Sequence, residues 1–420
     1  MDFAQSMEPH RQKILAIADD LTGAAEIAGV GWRYGLQVHL GTLPEGGVEA
    51  DLTVIDSKSR SLPEAGATQA MHRLVQQIRL GPLPFLYKKT DSVLRGHVRV
   101  EIEALRNGLG IPRALLIPAN PSLGRTIENG HYFICGKPLS QTDFFYDPEY
   151  PRTTDEVLLL LGSGQPMDFF LPAGRALPSS GIAIAEARTH ADLLQWAGMM
   201  DNATLAAGGA EFFEALLEKQ GRQKRPPTEE NLLLTSKKVL AICGSTSAYS
   251  HAWRRQGRVC GIPCFEMEVP GDYSSGAWNE KQSVWQPQIQ QALATQGKVI
   301  VGIALPVFPG IEAARQTAAH LALLIGEVLA QDLPDELLIE GGATATALLE
   351  HMNWQAFASI QELAMGVVRM RPVGCGQPAI TLKPGSYSWP HPVQALFGSD
   401  TGVMQGGHTF PARAPVAPGF

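Results

Sequence analysis

Short apolar runs that end in polar residues recur along the chain, and each leads into a stretch with helical spacing. Residues 13–18, KILAIA, form such a run, and a helix is expected after it from about Thr22 to Tyr34. LTVIDSKSR (52–60) passes from apolar to polar, and ATQAMHRLVQQIRL (67–80) follows with its apolar positions three and four apart. PFLYKKTDSVLRGHV (84–98) and RALLIPANPSLGRT (113–126) repeat the scheme, with a helical segment running to Leu109 between them. KKVLAICGSTS (237–247), GKVIVGIALP (297–306), DELLIEGGATATALLEHM (335–352) and PAITLKPGSYSWP (378–390) repeat it again in the second half. This alternation predicts an α/β fold with mainly parallel sheets flanked by helices. Ligands bind off the carboxyl ends of such strands, which is where every polar stretch named here falls.

The 420 residues exceed one ordinary core, so two domains are expected. GRQKRPPTEEN (221–231) is charged and carries a Pro-Pro pair, which reads as a linker. Residues 1–225 are then one domain, 237–400 a second, each with its own sheet, and the active site lies in the cleft between them. The last residues, GGHTFPARAPVAPGF, lack periodicity, and 401–420 reads as a loosely held tail.

Composition narrows the function classes. A net charge of -7 provides no footprint for nucleic acid. No run of 18 apolar residues suggests a membrane span. The N-terminal stretch MDFAQSMEPHRQK lacks the apolar core of a signal peptide, so a cytoplasmic protein is expected. The five scattered cysteines make no disulfide framework and are expected to be reduced and mostly buried. Cys260 and Cys264 lack the second ligand pair a metal would need, and no residue is assigned as a metal ligand.

The chemistry concentrates at the strand ends. In IADDLTGAAEIA (17–28), Asp19 and Asp20 stand side by side before a helix. One carboxylate there is an ordinary N-cap, favoured by the helix dipole. The second is left to face a pocket, accepting hydrogen bonds from a substrate hydroxyl or a proton from it. KKTDSVLRGH (88–97) puts Lys88, Lys89, Thr90, Asp91, Ser92, Arg95 and His97 within ten residues. Its cations suit an anionic ligand, with arginine able to grip a carboxylate through two parallel bonds. Arg60 in DSKSR, and Asn120, Arg125 and Thr126 further on, complete a rim suited to a small polyhydroxy acid. The second half differs. CGSTS (243–247), EGGATATALL (340–349) and LKPGSY (382–387) are glycine-containing turns at strand ends, two of them leading into helices, whose amides suit phosphate oxygens. None is a Walker A or G-x-G-x-x-G sequence. A hydroxy-acid domain facing a nucleotide domain suits phosphoryl transfer.

ILAIADDLTGAAEIA, YKKTDSVLRGHV, PANPSLGRTIENGHYFICGKPLSQTDF and AAGGAEFFEALL (206–217) together resemble the four-carbon acid sugar kinase family, whose members act on D-threonate, D-erythronate and 3-oxo-tetronates. The similarity runs from about Lys13 to Phe397. It implies an N-terminal domain for the sugar acid, a C-terminal domain for ATP, and Mg²⁺-dependent transfer of the γ-phosphoryl group to the terminal hydroxyl. It implies that Asp20, Arg60, Lys89, Thr90, Asp91 and Ser92 contact the acid, with Arg95 and Arg125 nearby, and Asp19 is expected at the same site. It also implies that Ser245, Gly341, Gly342, Ala343, Thr344 and Gly385 meet ATP, and Gly244 and Lys383 of the same turns are expected there with them. Two departures stand out. The family's GGDT or GGET reads GGAT here, so Ala343 lacks the carboxylate. Its LKSGNFG reads LKPGSYS, with Pro384 and Ser386.

The catalytic candidates are Asp20, Asp91 and Arg95. The base is Asp20 or Asp91, with Asp20 preferred because the carboxylate pair otherwise lacks a purpose. An acid-sugar sensor that has lost phosphoryl transfer is the alternative raised by Ala343 and Pro384. An isomerase or aldolase with a purely structural second domain is a third. The sequence is compatible with a homodimer and does not fix the oligomeric state.

Overall fold

The computed structural model describes residues 12–41, 50–80, 84–147, 149–162, 168–225, 234–268, 275–304, 311–385 and 387–398. The tail at 401–420, residues 226–231 of the expected linker and Ser386 lie outside the described residues.

The first half contributes β1 (Ile14–Ala18), β2 (Val38–Gly41), β3 (Leu52–Asp56), β4 (Phe85–Lys89) and β5 (Arg113–Ile117). A small antiparallel sheet follows, of β6 (Arg125–Glu128), β7 (His131–Ile134) and β8 (Lys137–Pro138). Then come β9 (Asp168–Leu171), β10 (Gly181–Ala185) and β11 (Thr204–Gly208). The second half contributes β12 (Val239–Cys243), β13 (Cys264–Met267), β14 (Lys298–Ile303), β15 (Glu336–Glu340), β16 (Ala356–Ala364), β17 (Val367–Pro372) and β18 (Ala379–Lys383). Apart from the small sheet, all of these join one mixed sheet in the order β13-β14-β12-β15-β18-β17-β16-β2-β3-β1-β4-β11-β5-β10-β9. Every pairing in it is parallel except β18–β17, β17–β16 and β16–β2.

The helices of the first half are α1 (Leu21–Arg33), α2 (Glu64–Ile78), α3 (Val98–Leu109), α4 (Val157–Leu160), α5 (His190–Ala197) and α6 (Ala210–Lys219). Those of the second are α7 (Ala248–Val259), α8 (Ser275–Gln296), α9 (Ile311–Gln331), α10 (Gly342–His351) and α11 (His391–Leu396). The parallel strands β1, β10, β11, β12, β15 and β18 are buried along their whole length, because helices cover both faces of such sheets. That is why they read as unbroken apolar runs.

The two sheets expected of the two halves meet edge to edge. Leu40 of β2 pairs with Phe357 of β16, and the parallel sets on either side run in opposite senses. Register shifts interrupt the β16–β17 pairing, and such bulges strengthen local twist. α1 lies across the junction. A Cβ at Gly31 would fall 2.4 Å from Leu52 of β3, and one at Gly29 would fall 3.0 Å from Val368 of β17. Glycine at these two positions lets one helix pack closely on both halves. Arg33, in its last turn, donates to Glu362 of β16 at 2.8 Å and to Glu214 of α6 at 3.0 Å. The cysteines are free as expected, but burial is not general: Cys135, Cys260 and Cys375 are exposed and only Cys243 is fully buried. They sit in turns and at a helix end rather than on the apolar strand faces.

Candidate active site

Strand register gathers the acidic and basic motifs. Ala18 at the end of β1 pairs with Asp56 at the end of β3, Ile17 with Lys88 of β4, and Lys89 with Gly208 of β11. The turns that follow therefore leave the sheet side by side.

Arg60 is the hub. Its Nε and Nη2 donate to the two oxygens of Asp19 at 2.8 and 2.9 Å, and its Nη1 donates to Asp20 Oδ2 at 2.6 Å. Asp91 lies 3.7 Å away on the other side. Asp20 also caps α1, its Oδ1 accepting the Gly23 amide at 2.8 Å. So the expected division of the pair into cap and pocket residue is replaced by a sharper one. Asp19, 2% exposed, is the buried anchor of Arg60, and Asp20 is both cap and rim. Burial would raise Asp19, but Arg60 and Lys88 outweigh it and hold the carboxyl below its ordinary range. Burial and the charge of Asp19 raise Asp20 against Arg60 and the Gly23 amide.

Asp91 is saturated. Its Oδ1 accepts the amides of Val93 and Arg95 and the Nε of Arg95, each at 3.1 Å, and its Oδ2 accepts Arg95 Nη2 at 2.8 Å. Although burial opposes it, Arg95 and Arg60 keep the carboxyl well below the usual carboxylate range. Arg95 is itself pinned between Asp91 and Asp147.

Lys89 pairs with Glu26 at 3.0 Å and stays cationic, because Glu26, Asp19 and Asp20 outweigh its burial. Lys88 serves the core rather than the rim: it pairs at 2.7 Å with Glu101 of α3, both side chains being almost wholly buried. The Thr90 hydroxyl is buried with no hydrogen-bond partner among the described residues. Arg125 bonds to the Ser92 hydroxyl, and Phe144 lies under both Arg95 and Arg125 at 5.6 and 5.9 Å. Asp19, Asp20, Arg60, Asp91 and Arg95 thus form one network, with Lys89, Thr90, Ser92 and Arg125 at the same strand ends. An orphaned hydroxyl beside lysine and arginine is what a hydroxylated anion would satisfy.

The glycine turns also come together through register, since Cys243, Glu340 and Lys383 are neighbours across β12, β15 and β18. A Cβ at Gly244 would fall 1.8 Å from Thr344 Oγ1, and one at Gly385 would fall 2.8 Å from Ser245 Oγ. Ser245 and Ser247 donate to the Gly385 carbonyl at 3.2 and 2.7 Å, and Ser247 caps α7. Gly341, at φ +98, turns the chain into α10. Two helix N-termini therefore open beside one cradle too tight for side chains, as a nucleotide phosphate requires. Lys383 is 3% exposed and donates to the carbonyls of Pro384 and Tyr387 at 2.9 and 2.5 Å, so it supports the loop from beneath.

Mg²⁺ fits this turn poorly. Ala343 is exposed and offers no donor, while Glu340 is 0% exposed and lies 3.4 Å from Lys383. An ion here would come held by the nucleotide phosphates and water.

The two clusters touch. A Cβ at Gly342 would fall 2.6 Å from the hydroxyl of Thr22, two residues after Asp20. Lys58, two residues after Asp56, pairs with Glu350 of α10 at 2.6 Å. The sequence reading passes over Thr22 and Asp56. Asp56 carried a signal, being a carboxylate at the end of an apolar run like Asp19.

A family model described as a sugar-binding N-terminal domain matches residues 14–168. The 3-oxo-tetronate kinase of Brucella melitensis is 26% identical over 417 residues, covering 90% of this chain and 93% of its own. The D-threonate kinase of Salmonella typhimurium is 30% identical over 269 residues, covering 58% and 60%. A crystal structure from Salmonella typhimurium LT2, whose description proposes a tRNA synthase, superposes with a TM-score of 0.73 at 19% identity, covering 92% of this chain and 98% of that one; such a likeness speaks for the fold alone. Kinase relatives run the length of the chain and the sugar-binding model falls on the half that holds the acid site, so the comparisons support a likeness to the four-carbon acid sugar kinases.

Proposed function

We propose that the protein is an ATP-dependent kinase that phosphorylates the terminal hydroxyl of a four-carbon sugar acid: threonate, erythronate or an oxo-tetronate. Residues 1–225 bind the acid and 237–400 bind ATP. The observation that carries the reading is the contact of Thr22 with the Gly342 turn, which sets a hydroxy-acid site against a phosphate cradle. Charge orients the substrate. Asp19 and Asp20 share one guanidinium, so their end of the site is net negative and repels a carboxylate. The acid's carboxylate is therefore taken by Arg125, Thr90 and Ser92, and its terminal hydroxyl points toward Asp20 and the glycine turns. Arg60 and Arg95 act by holding Asp19, Asp20 and Asp91 in place. Catalysis is then mainly positioning and electrostatics, as is general for phosphoryl transfer.

The free thiols and the use of ATP favour a cytoplasmic setting; among the described residues no helix is long and apolar enough to cross a membrane. The test is ATP consumption, with Mg²⁺, against a panel of four-carbon acids and their oxo forms. Turnover with one acid establishes the kinase and names the substrate. Ala343 favours one second reading, an acid-sugar sensor. Absence of ATP binding by calorimetry together with tight acid binding would establish that instead.

A further inference from the structure

Four aspartates ring the strand ends, and three accept a hydrogen bond on each oxygen. Asp19 gives both oxygens to Arg60, Asp20 gives one to the Gly23 amide and one to Arg60, and Asp91 gives both to Arg95. A carboxylate that accepts from a guanidinium is a weaker proton acceptor than one that does not. Asp56 differs. Its Oδ1 accepts the Lys58 amide at 2.9 Å, and its Oδ2 has no hydrogen-bond partner among the described residues. Its place is set by the sheet, beside Ala18 and hence one strand over from the Asp19–Asp20 turn. Lys58 takes the left-handed φ of 52, which turns the loop back so that Arg60 can reach Asp19. The same Lys58 pairs with Glu350 in the last turn of α10. Asp56 thus stands beside the Asp19–Asp20 turn, at the hydroxyl end of the proposed acid site.

We propose that Asp56 accepts the proton of the terminal hydroxyl as that oxygen attacks the γ-phosphorus. The inference rests on the kinase reading. The new O–P bond forms as the bond from the γ-phosphorus to the β–γ bridging oxygen breaks. ADP leaves with that electron pair, and the proton passes to Asp56 and later to water. The charged groups that face Asp56 are Asp19 and Asp20 from the β1–α1 turn and Lys58 from its own loop, with Glu350 of α10 behind Lys58. Burial, with the charge of Asp20 next, pushes its carboxyl up to about 7. A base in that range works at neutral pH without the loss of driving force that a strongly acidic carboxyl such as Asp91 would suffer.

The experiment combines pH profiles of kcat for wild type, Asp56→Asn and Asp20→Asn with ¹³C NMR of aspartate carboxyls. In wild type, kcat/KM for the acid, taken from the same profiles, should fall below a limb near the value of about 7 that Asp56 carries in the free enzyme. Asp56→Asn should lower kcat about 100-fold or more, remove that limb and leave KM for both substrates within about threefold. One carboxyl resonance titrating in the same range should be missing from that variant. Calorimetric ATP binding keeps a folding defect from being mistaken for this result. Asp20→Asn should act mainly on KM for the acid. A limb that survives Asp56→Asn and vanishes with Asp20→Asn overturns the proposal, as does kcat within about threefold of wild type. A wild type that turns over no acid overturns the kinase reading and this step with it. The NMR then separates the failures: a titrating Asp56 leaves a poised carboxyl without its reaction, and its absence removes the base itself.

Discussion

Gly342→Ala tests the contact on which the arrangement of the two halves rests. A Cβ there lies 2.6 Å from Thr22 Oγ1, where ordinary contact begins at 3.4 Å, so about 0.8 Å of separation must be found. Forcing a methyl into a packed contact costs about 1–3 kcal/mol. Against this, replacing glycine by alanine in a helix gains up to about 1 kcal/mol, and Gly342 has no left-handed φ to oppose it. The clash wins by a small margin, and removing the Thr22 side chain should reverse the sign. The measurement is a double-mutant cycle of Gly342→Ala and Thr22→Ala by urea unfolding, with kcat/KM for ATP beside it. Alone, Gly342→Ala should cost about 1 kcal/mol and roughly tenfold in kcat/KM; in the Thr22→Ala background it should be neutral or stabilising. A coupling below about 0.3 kcal/mol, the level at which distant sites are additive, would mean that Thr22 and Gly342 do not meet.

Other perturbations read the site separately. Lys88→Met should cost about 3–5 kcal/mol in urea melts by stranding Glu101 in the core, and Lys88→Met with Glu101→Leu should recover most of it. Arg60→Ala leaves Asp19 and Asp20 without their shared partner, so KM for the acid should rise by roughly 100-fold; Arg60→Lys should rescue little, since an ammonium cannot serve both carboxylates in the same geometry. Asp56→Asn should raise stability at alkaline pH. The folded carboxyl at about 7 lies above its unfolded value of 3.8, so the stability it contributes is complete below the lower value and lost as pH rises through the upper one. Urea melts should therefore show a gain of order 3–4 kcal/mol at about pH 8, shrinking toward acid pH.

The alternation of apolar and polar stretches located the parallel strands, because strands buried on both faces have no other way to read. The helix expected over Thr22–Tyr34 is found at Leu21–Arg33. The β16–β17 hairpin and the antiparallel β2–β16 joint were not legible, since long-range pairing between a four-residue strand and a bulged one leaves no local periodicity. In the site, residue types were legible and partners were not. KKTDSVLRGH reads as a cationic rim, but Lys88 turns into the core toward Glu101, while Arg95 spends its charge on Asp91 and Asp147. Successive residues of a strand face opposite sides, so of the adjacent Lys88 and Lys89 only one can belong to a given face.

The adjacent Asp19 and Asp20 are tolerable because one arginine spans both and helix α1 takes part of the second charge. Burial, with the charge of Asp19 adding to it, still raises Asp20, while Arg60 and Lys88 hold Asp19 down against its own burial. One guanidinium for two carboxylates leaves a surplus of negative charge at this corner, and that surplus contributes to raising Asp56. In the proposed binding mode the same surplus directs the substrate, turning its carboxylate away, toward Arg125. A pairing that looks wasteful in the sequence thus does two things with one charge. In the proposed reaction it turns the hydroxyl of the acid toward the phosphate cradle, and it helps to keep Asp56 basic enough to receive that hydroxyl's proton.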